Sequence, residues 1–300
     1  MMADTYKGFK SKEAFMKYTE IYGRVMNHWT VKTESSNIVT SFGDVHVINA
    51  GHHDGRPLVF FHAFGFSAAM WYGVADYLKD HYRLYFIDVL GEFNMSNTKD
   101  HLNEREDYIE WITEVLDALG IDQADMIGHS NGGWHVLNYA LLKPERVNEI
   151  LLLAPAASMK RMNLSFYMRL ALTNLFPNRQ NIVSSFCRWL THERKPEQED
   201  LFELYYIGQT RVVWEYVMTP PKMFKNEELS QLSVPVTVAV GENEVIYKPS
   251  KLKKAAQEKL PQCSVSMINK AAHMIPIEAP EEIANLIQSI FSHNDREKSV

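Results

Sequence analysis

The chain has 300 residues, 46% of them hydrophobic, with 37 acidic and 31 basic side chains and a formal net charge of −6. That is ample apolar material for a sizeable core, either one large α/β domain carrying an insertion or two domains. A mildly acidic chain with no long basic run argues against nucleic acid or an anionic membrane as its main partner and suits a neutral small molecule.

Met1 to Lys17 is charged and polar and lacks the apolar centre of an export signal. Phe15, Tyr18, Ile21, Tyr22 and Val25 recur at helical spacing and predict an amphipathic helix over 11–28 with a packing role. Two strands follow, Asn37 to Phe42 and Val45 to Asn49, joined by a hairpin turn at Gly43-Asp44. His52, His53 and Asp54 crowd the next loop. No further ligand stands at a supporting spacing, so they read as solvated side chains and no metal is expected.

From Pro57 the pattern changes to continuous apolar strands separated by helical stretches, which predicts a parallel sheet covered on both faces. The strands are Leu58 to Phe61, Leu84 to Asp88, Ala124 to Ile127, Val147 to Leu153, Val236 to Val240 and Ser264 to Ile268. Helices are predicted over 67–79, 104–119, 249–260 and 280–292. The second of these has Asn103 as N-cap, Glu106 completing a capping-box variant, and Gly120 at its end.

Residues 156–230 break the alternation. Met159, Met162, Phe166, Met168, Phe176, Phe186, Trp189, Tyr205, Tyr206, Trp214, Tyr216 and Met218 lie in helix-like segments with no buried strand between them. This predicts a helical cap at 156–230 inserted into a core made of 1–155 and 231–300. The tail after His293 is polar and expected to fray. Cys187 and Cys263, the only cysteines, are far apart and have no metal or redox-pair spacing, so free thiols and a cytoplasmic location are expected. The longest apolar runs, such as Ile150 to Ala157, are too short to span a bilayer.

The chemistry centres on Asp125 to Gly133, which contains Gly128-x-Ser130-x-Gly132 between an apolar strand and a helical run of Trp134, Leu137, Leu141 and Leu142. That is the sequence form of a nucleophile elbow, where a sharp turn presents one hydroxyl and small neighbours let strand and helix approach. A serine hydroxyl needs a base, and the base needs an acceptor that fixes its tautomer. His273, in the loop after the strand ending at Ile268, is the candidate base. His129 adjoins the serine, but neighbouring side chains at a sharp turn point apart, so it reads as structural. The loop after Val236 to Val240 offers two carboxylates, Glu242 and Glu244, while Ala154-Pro155 at the end of the preceding strand offers none.

In order and approximate spacing, the elbow Gly128-His129-Ser130-Asn131-Gly132, the His62-Ala63-Phe64-Gly65 segment, the Gly241-x-x-Glu244 loop and Ala272-His273-Met274 resemble the α/β-hydrolases over nearly the whole chain. More narrowly, the chain is similar to bacterial carboxylesterases of the naproxen-esterase type. The resemblance implies an α/β-hydrolase fold, with a mostly parallel eight-stranded sheet, helices on both faces and a lid after the sixth strand. It also implies a triad of Ser130, Glu244 and His273, and no cofactor. Three features depart from the family pattern. The acid is Glu244 where Asp is usual, Ala63 replaces a glycine, and the usual Gly-x-Gly-x-Ser appears as Gly91-Glu92-Phe93-Asn94-Met95-Ser96, which bears on the pocket wall.

Acyl transfer also needs an oxyanion hole of two backbone N–H groups, placed by the family pattern at Phe64 and Asn131. The expected function is hydrolysis of apolar aryl or medium-chain carboxylic esters through an acyl-enzyme, beneath a Met- and aromatic-rich roof. Lactones, thioesters, activated amides or carbon–carbon bonds fit the same residues, as does a binding or signalling protein on this fold. Oligomeric state is not legible.

Overall fold

The computed structural model describes residues 8–193, 195, 197–213 and 221–291. Its sheet begins with β1 (Thr33–Thr40) and β2 (Gly43–Gly51), antiparallel and paired from Thr33 with Ala50 to Thr40 with Gly43. That register puts the hairpin turn at Ser41 and Phe42, two residues before the predicted Gly43-Asp44. The glycine answers a different demand: a Cβ on Gly43 would stand 2.3 Å from the Asn97 carbonyl oxygen. There the short strand β5 (Asn97–Thr98) lies against β2.

The other strands are β3 (Arg56–Phe61), β4 (Tyr82–Ile87), β6 (Ala124–His129), β7 (Val147–Leu153), β8 (Val236–Gly241) and β9 (Ser264–Ile268). Their order is β1-β2-β4-β3-β6-β7-β8-β9, with β5 beside β2, and every neighbouring pair from β4 to β9 is parallel. The eight expected strands are therefore joined by a short ninth. Consecutive residues of a strand face opposite sides, yet all of β6, all of β8 and the last four residues of β3 and β4 are buried, so both faces of the central sheet are covered. Phe60 shows the packing, stacked on Phe86 at 4.6 Å and edge-on to Trp71 at 5.1 Å.

Ten helices can be described. Helix α1 (Lys12–Met26) starts at Ser11, whose hydroxyl accepts the Ala14 N–H, and buries Tyr18, Ile21, Tyr22 and Val25 of the predicted stripe, with Phe15 half-buried. The helix expected at 67–79 is instead a 3₁₀ turn, Ala68–Trp71, followed by α2 (Tyr72–Leu78). Asp88 accepts the Ala68 N–H at 2.6 Å and anchors that tighter first turn. Helix α3 (Arg105–Ala118) is capped one residue later than predicted, at Glu104 rather than Asn103. Asp107, three residues after Glu104, replaces Glu106 in the box, and its carboxylate accepts the N–H groups of both Asn103 and Glu104, at 2.7 and 2.9 Å.

Helix α4 (Asn131–Leu142) follows β6 directly. Between β7 and β8 run α5 (Leu164–Leu175), a π-helical segment Gln180–Phe186, a 3₁₀ turn Cys187–Leu190, α6 (Gln198–Arg211) and α7 (Asn226–Leu229). Among the described residues, this stretch adds no strand to the sheet. Trp214, Tyr216, Met218 and the tail after His293 lie outside the described residues. The chain closes with α8 (Pro249–Lys259), α9 (Ile275–Glu278) and α10 (Pro280–Phe291). No helix among the described residues is long and apolar enough to cross a membrane.

One partly buried ion pair ties the start of β3 to the start of β6. Asp125 is fully buried, and Arg56 Nη2 donates to its Oδ1 at 2.7 Å while Nη1 donates to the Phe291 carbonyl at the same distance. Removing the guanidinium leaves that carboxylate without its cation. Arg56→Met is expected to cost about 3–5 kcal/mol of unfolding free energy in urea titrations, and adding Asp125→Asn to restore part of it. A single variant as stable as wild type would show the pair to be dispensable.

Candidate active site

Ser130 links β6 to α4 with φ 54° and ψ −111°, a conformation that L side chains rarely adopt and that stores roughly 1–3 kcal/mol of strain. Its flanking glycines make the turn possible. A Cβ on Gly128 would stand 2.3 Å from the Gly132 carbonyl oxygen, and one on Gly132 would stand 2.2 Å from that of Phe61. The strained residue is held on both sides: its N–H donates to Leu153 at 2.8 Å and its carbonyl accepts from Gly133 and Ala156 at 3.1 Å.

His273 occupies the loop between β9 and α9. Its Nε2 lies 2.9 Å from Ser130 Oγ, and its Nδ1 lies 2.9 Å from Glu244 Oε2. The other carboxylate oxygen accepts the N–H groups of Val245 and Ile246 at 2.7 and 2.9 Å, so the longer acid curls back on its own loop and aims one oxygen at the imidazole. With Nδ1–H donated to the carboxylate, Nε2 is left as an acceptor for the serine proton. Ser130 and Glu244 are each 7% exposed and His273 is 3% exposed. Glu242, the competing carboxylate, is exposed and contributes only a backbone N–H to Ile268.

The base loop is clamped from two directions. His129 Nε2 meets the His273 carbonyl at 2.7 Å, so this ring serves as a structural donor. Burial first, and then the nearby His273, push its pKa well below the usual imidazole range. From the other side, the Leu190 carbonyl accepts the N–H groups of His273 and Met274 at 2.9 and 3.2 Å. Leu190 belongs to the segment between β7 and β8, which also reaches the acid loop, where the Asn163 N–H donates to Ile246 at 2.6 Å.

Phe64 lies in the turn after β3, where the Phe66 N–H closes onto the Ala63 carbonyl at 3.0 Å. Ala63 has no positive φ, so its Cβ is accommodated without strain. Gly65 does have one, at 74°, and a Cβ there would lie 2.5 Å from the ring of Tyr205 on α6. The turn carrying Phe64 and the elbow carrying Asn131 meet at a residue that sequence reasoning noticed only as a departure from pattern. Glu92 is 6% exposed, and its carboxyl oxygens accept the Gly65 N–H at 2.7 Å and the Asn131 side-chain N–H at 2.8 Å. The signal available in the sequence was one acid set among Val89, Leu90 and Phe93, all fully buried.

No cluster of potential metal ligands occurs among the described residues; His53 and Asp54 pair with each other at 3.1 Å on the surface. A serine hydroxyl in contact with an imidazole that a carboxylate holds is an arrangement suited to attack on a carbonyl carbon.

Comparison with known proteins places the fold in a family. Residues 56–280 match the α/β hydrolase fold family. The chain is 32% identical over 287 residues to the uncharacterized carboxylesterase nap of Bacillus subtilis (strain 168), covering 92% of this chain and 93% of that protein. It is 27% identical over 296 residues to carboxylesterase YbfK of the same organism, covering 94% and 96% of the two chains. The crystal structure of naproxen esterase (carboxylesterase NP) from Bacillus subtilis is similar at a TM-score of 0.87 and 30% identity, over 94% of this chain and 99% of that one. The chain therefore belongs to the α/β hydrolase fold family, within its group of bacterial carboxylesterases related to naproxen esterase.

Proposed function

We propose that the protein is a serine carboxylesterase in which Ser130 is the nucleophile, His273 the base and Glu244 the acid that orients the base. One observation carries this reading: the unbroken relay of two 2.9 Å contacts from Ser130 Oγ through the imidazole to Glu244. In the first step His273 Nε2 takes the hydroxyl proton as Ser130 Oγ bonds to the ester carbonyl carbon. The carbonyl oxygen becomes an oxyanion, held by the backbone N–H groups of Phe64 and Asn131. One such donor is worth on the order of 3 kcal/mol in the transition state. Collapse expels the alcohol, which leaves with the proton from His273. Water, deprotonated by the same imidazole, then attacks the acyl-enzyme and releases the carboxylic acid.

Residues 156–230 are assigned as a cap on a core formed by 1–155 and 231–300. Support comes from their contacts with the acid loop, the base loop and the turn carrying Phe64. Its apolar side chains favour esters with aryl or medium-length apolar parts, since a pocket walled by such groups gains most from burying apolar surface. Free thiols at Cys187 and Cys263 fit a soluble protein of a reducing compartment such as the cytoplasm.

Hydrolysis of p-nitrophenyl esters tests the roles. Glu244→Gln is expected to lower kcat by about 10²- to 10⁴-fold, as misorienting the base does in comparable triads, while Glu242→Gln stays within about twofold of wild type. The opposite ranking would move the acid to Glu242. Across a series of acyl lengths, kcat/KM is expected to rise from acetyl to medium chains by about tenfold for each 1.4 kcal/mol of added apolar contact. A preference for acetyl or charged acyl groups would contradict the apolar roof.

A further inference from the structure

Glu92 takes no part in the relay from Ser130 to Glu244, yet it is buried in the loop after β4 and makes two short hydrogen bonds. Each carboxyl oxygen serves a different segment. Oε2 accepts from Gly65, the residue after Phe64, and Oε1 accepts from the side chain of Asn131. The group thus spans the two segments that supply the oxyanion donors, which come from places far apart in the chain.

We propose that Glu92 is a positioning residue of the oxyanion hole, which locks the Phe64–Gly65 turn to the Asn131 side chain and does so as the neutral acid. The proposal rests on the serine-esterase reading given above. A carboxylate at this place would set a full negative charge beside the site where the oxyanion develops, and in a buried environment that repulsion is poorly screened.

The surroundings favour the uncharged form. From the β3 side, His62 Nδ1 lies 3.7 Å from Oε2 but donates to the Ala63 carbonyl at 2.9 Å, and burial lowers its pKa, so it brings no cation. On the same loop as Glu92, Asp88 adds like charge. From α4, His135 is pushed by burial down to about 3 and stays neutral. From α6 and α1, Tyr205 and Tyr18 are phenols held well above their usual range, by burial first. Burial of Glu92, with Asp88 adding to it, raises its carboxyl to about 8 against the pull of the two N–H donors. Glu92 is neutral below that value, and turnover falls as pH rises through it.

The test measures kcat and KM for a p-nitrophenyl ester from about pH 6 to 9.5 in wild type, Glu92→Gln, Glu92→Ala and Ser130→Ala, with thermal unfolding of each to verify the fold. Wild type is expected to show a descending limb centred near pH 8. Glutamine cannot ionise but keeps the shape. Its carbonyl accepts from Gly65, and its NH₂ donates to Asn131 once that amide turns over and His135 changes tautomer. Glu92→Gln is therefore expected to hold kcat within about threefold of wild type near neutral pH and to lack the limb. Glu92→Ala is expected to lose about 10- to 100-fold in kcat at all pH values, with KM changed by less than about threefold, as misplaced catalytic groups do.

A wild-type rate flat to the alkaline end, a limb unchanged in Glu92→Gln, or a folded Glu92→Ala with wild-type kcat would each overturn the proposal. Ser130→Ala separates the two readings. If it keeps full turnover, the serine mechanism falls and this inference with it; if it is inactive while the Glu92 variants match wild type, only the role of Glu92 falls.

Discussion

The structure depends on one unfavourable backbone conformation. Ser130 is held at a positive φ between a buried strand and the first turn of a helix, a state stable only where the surroundings over-determine it. They do so through neighbours that can approach because Gly128 and Gly132 lack a Cβ, and through hydrogen bonds to Leu153 and Ala156 beside β7. At the other end of β6, the Arg56–Asp125 pair fixes the strand that delivers the serine. The hydroxyl therefore arrives at the carboxyl end of a central parallel strand, where the loops after β3, β8 and β9 can converge on it.

Convergence of those loops is enforced mainly by backbone groups outside them. Leu190 holds the base loop, Asn163 the acid loop, and Tyr205 covers Gly65 beside Phe64. All three come from the helical stretch between β7 and β8, so that stretch helps to set the geometry of the site. A movement of that stretch would release contacts to the Glu244 loop, the His273 loop and the turn beside Phe64 together, whereas the hydrogen bonds of the elbow to β7 would remain.

What could be read from sequence follows the range of the forces involved. The elbow was legible because strand, tight turn and helix are local, and the central strands because a sheet buried on both faces requires continuous apolar runs. Glu244 could be set beside Glu242 but not separated from it by loop position alone; the backbone N–H groups that donate to its other oxygen belong to the folded turn. Gly43 was misread as a turn residue because its real constraint, the Asn97 carbonyl, lies on a strand more than fifty residues later. The cap of α3 shifted by one residue because two adjacent acids stand in its first turn, and Asp107, three residues after Glu104, is the one whose carboxylate faces the Asn103 and Glu104 N–H groups. Glu92 carried no periodic signature: its partners lie 27 and 39 residues away, one of them a backbone amide.

The central claim is that Ser130 becomes covalently acylated, and trapping that bond tests it most directly. The protein is treated with a fluorophosphonate and the modified peptide identified by mass spectrometry. A single adduct on Ser130, absent after unfolding and absent in Ser130→Ala, is the predicted result. Ester turnover by folded protein with no adduct at Ser130, or with the adduct on another residue, would contradict the account.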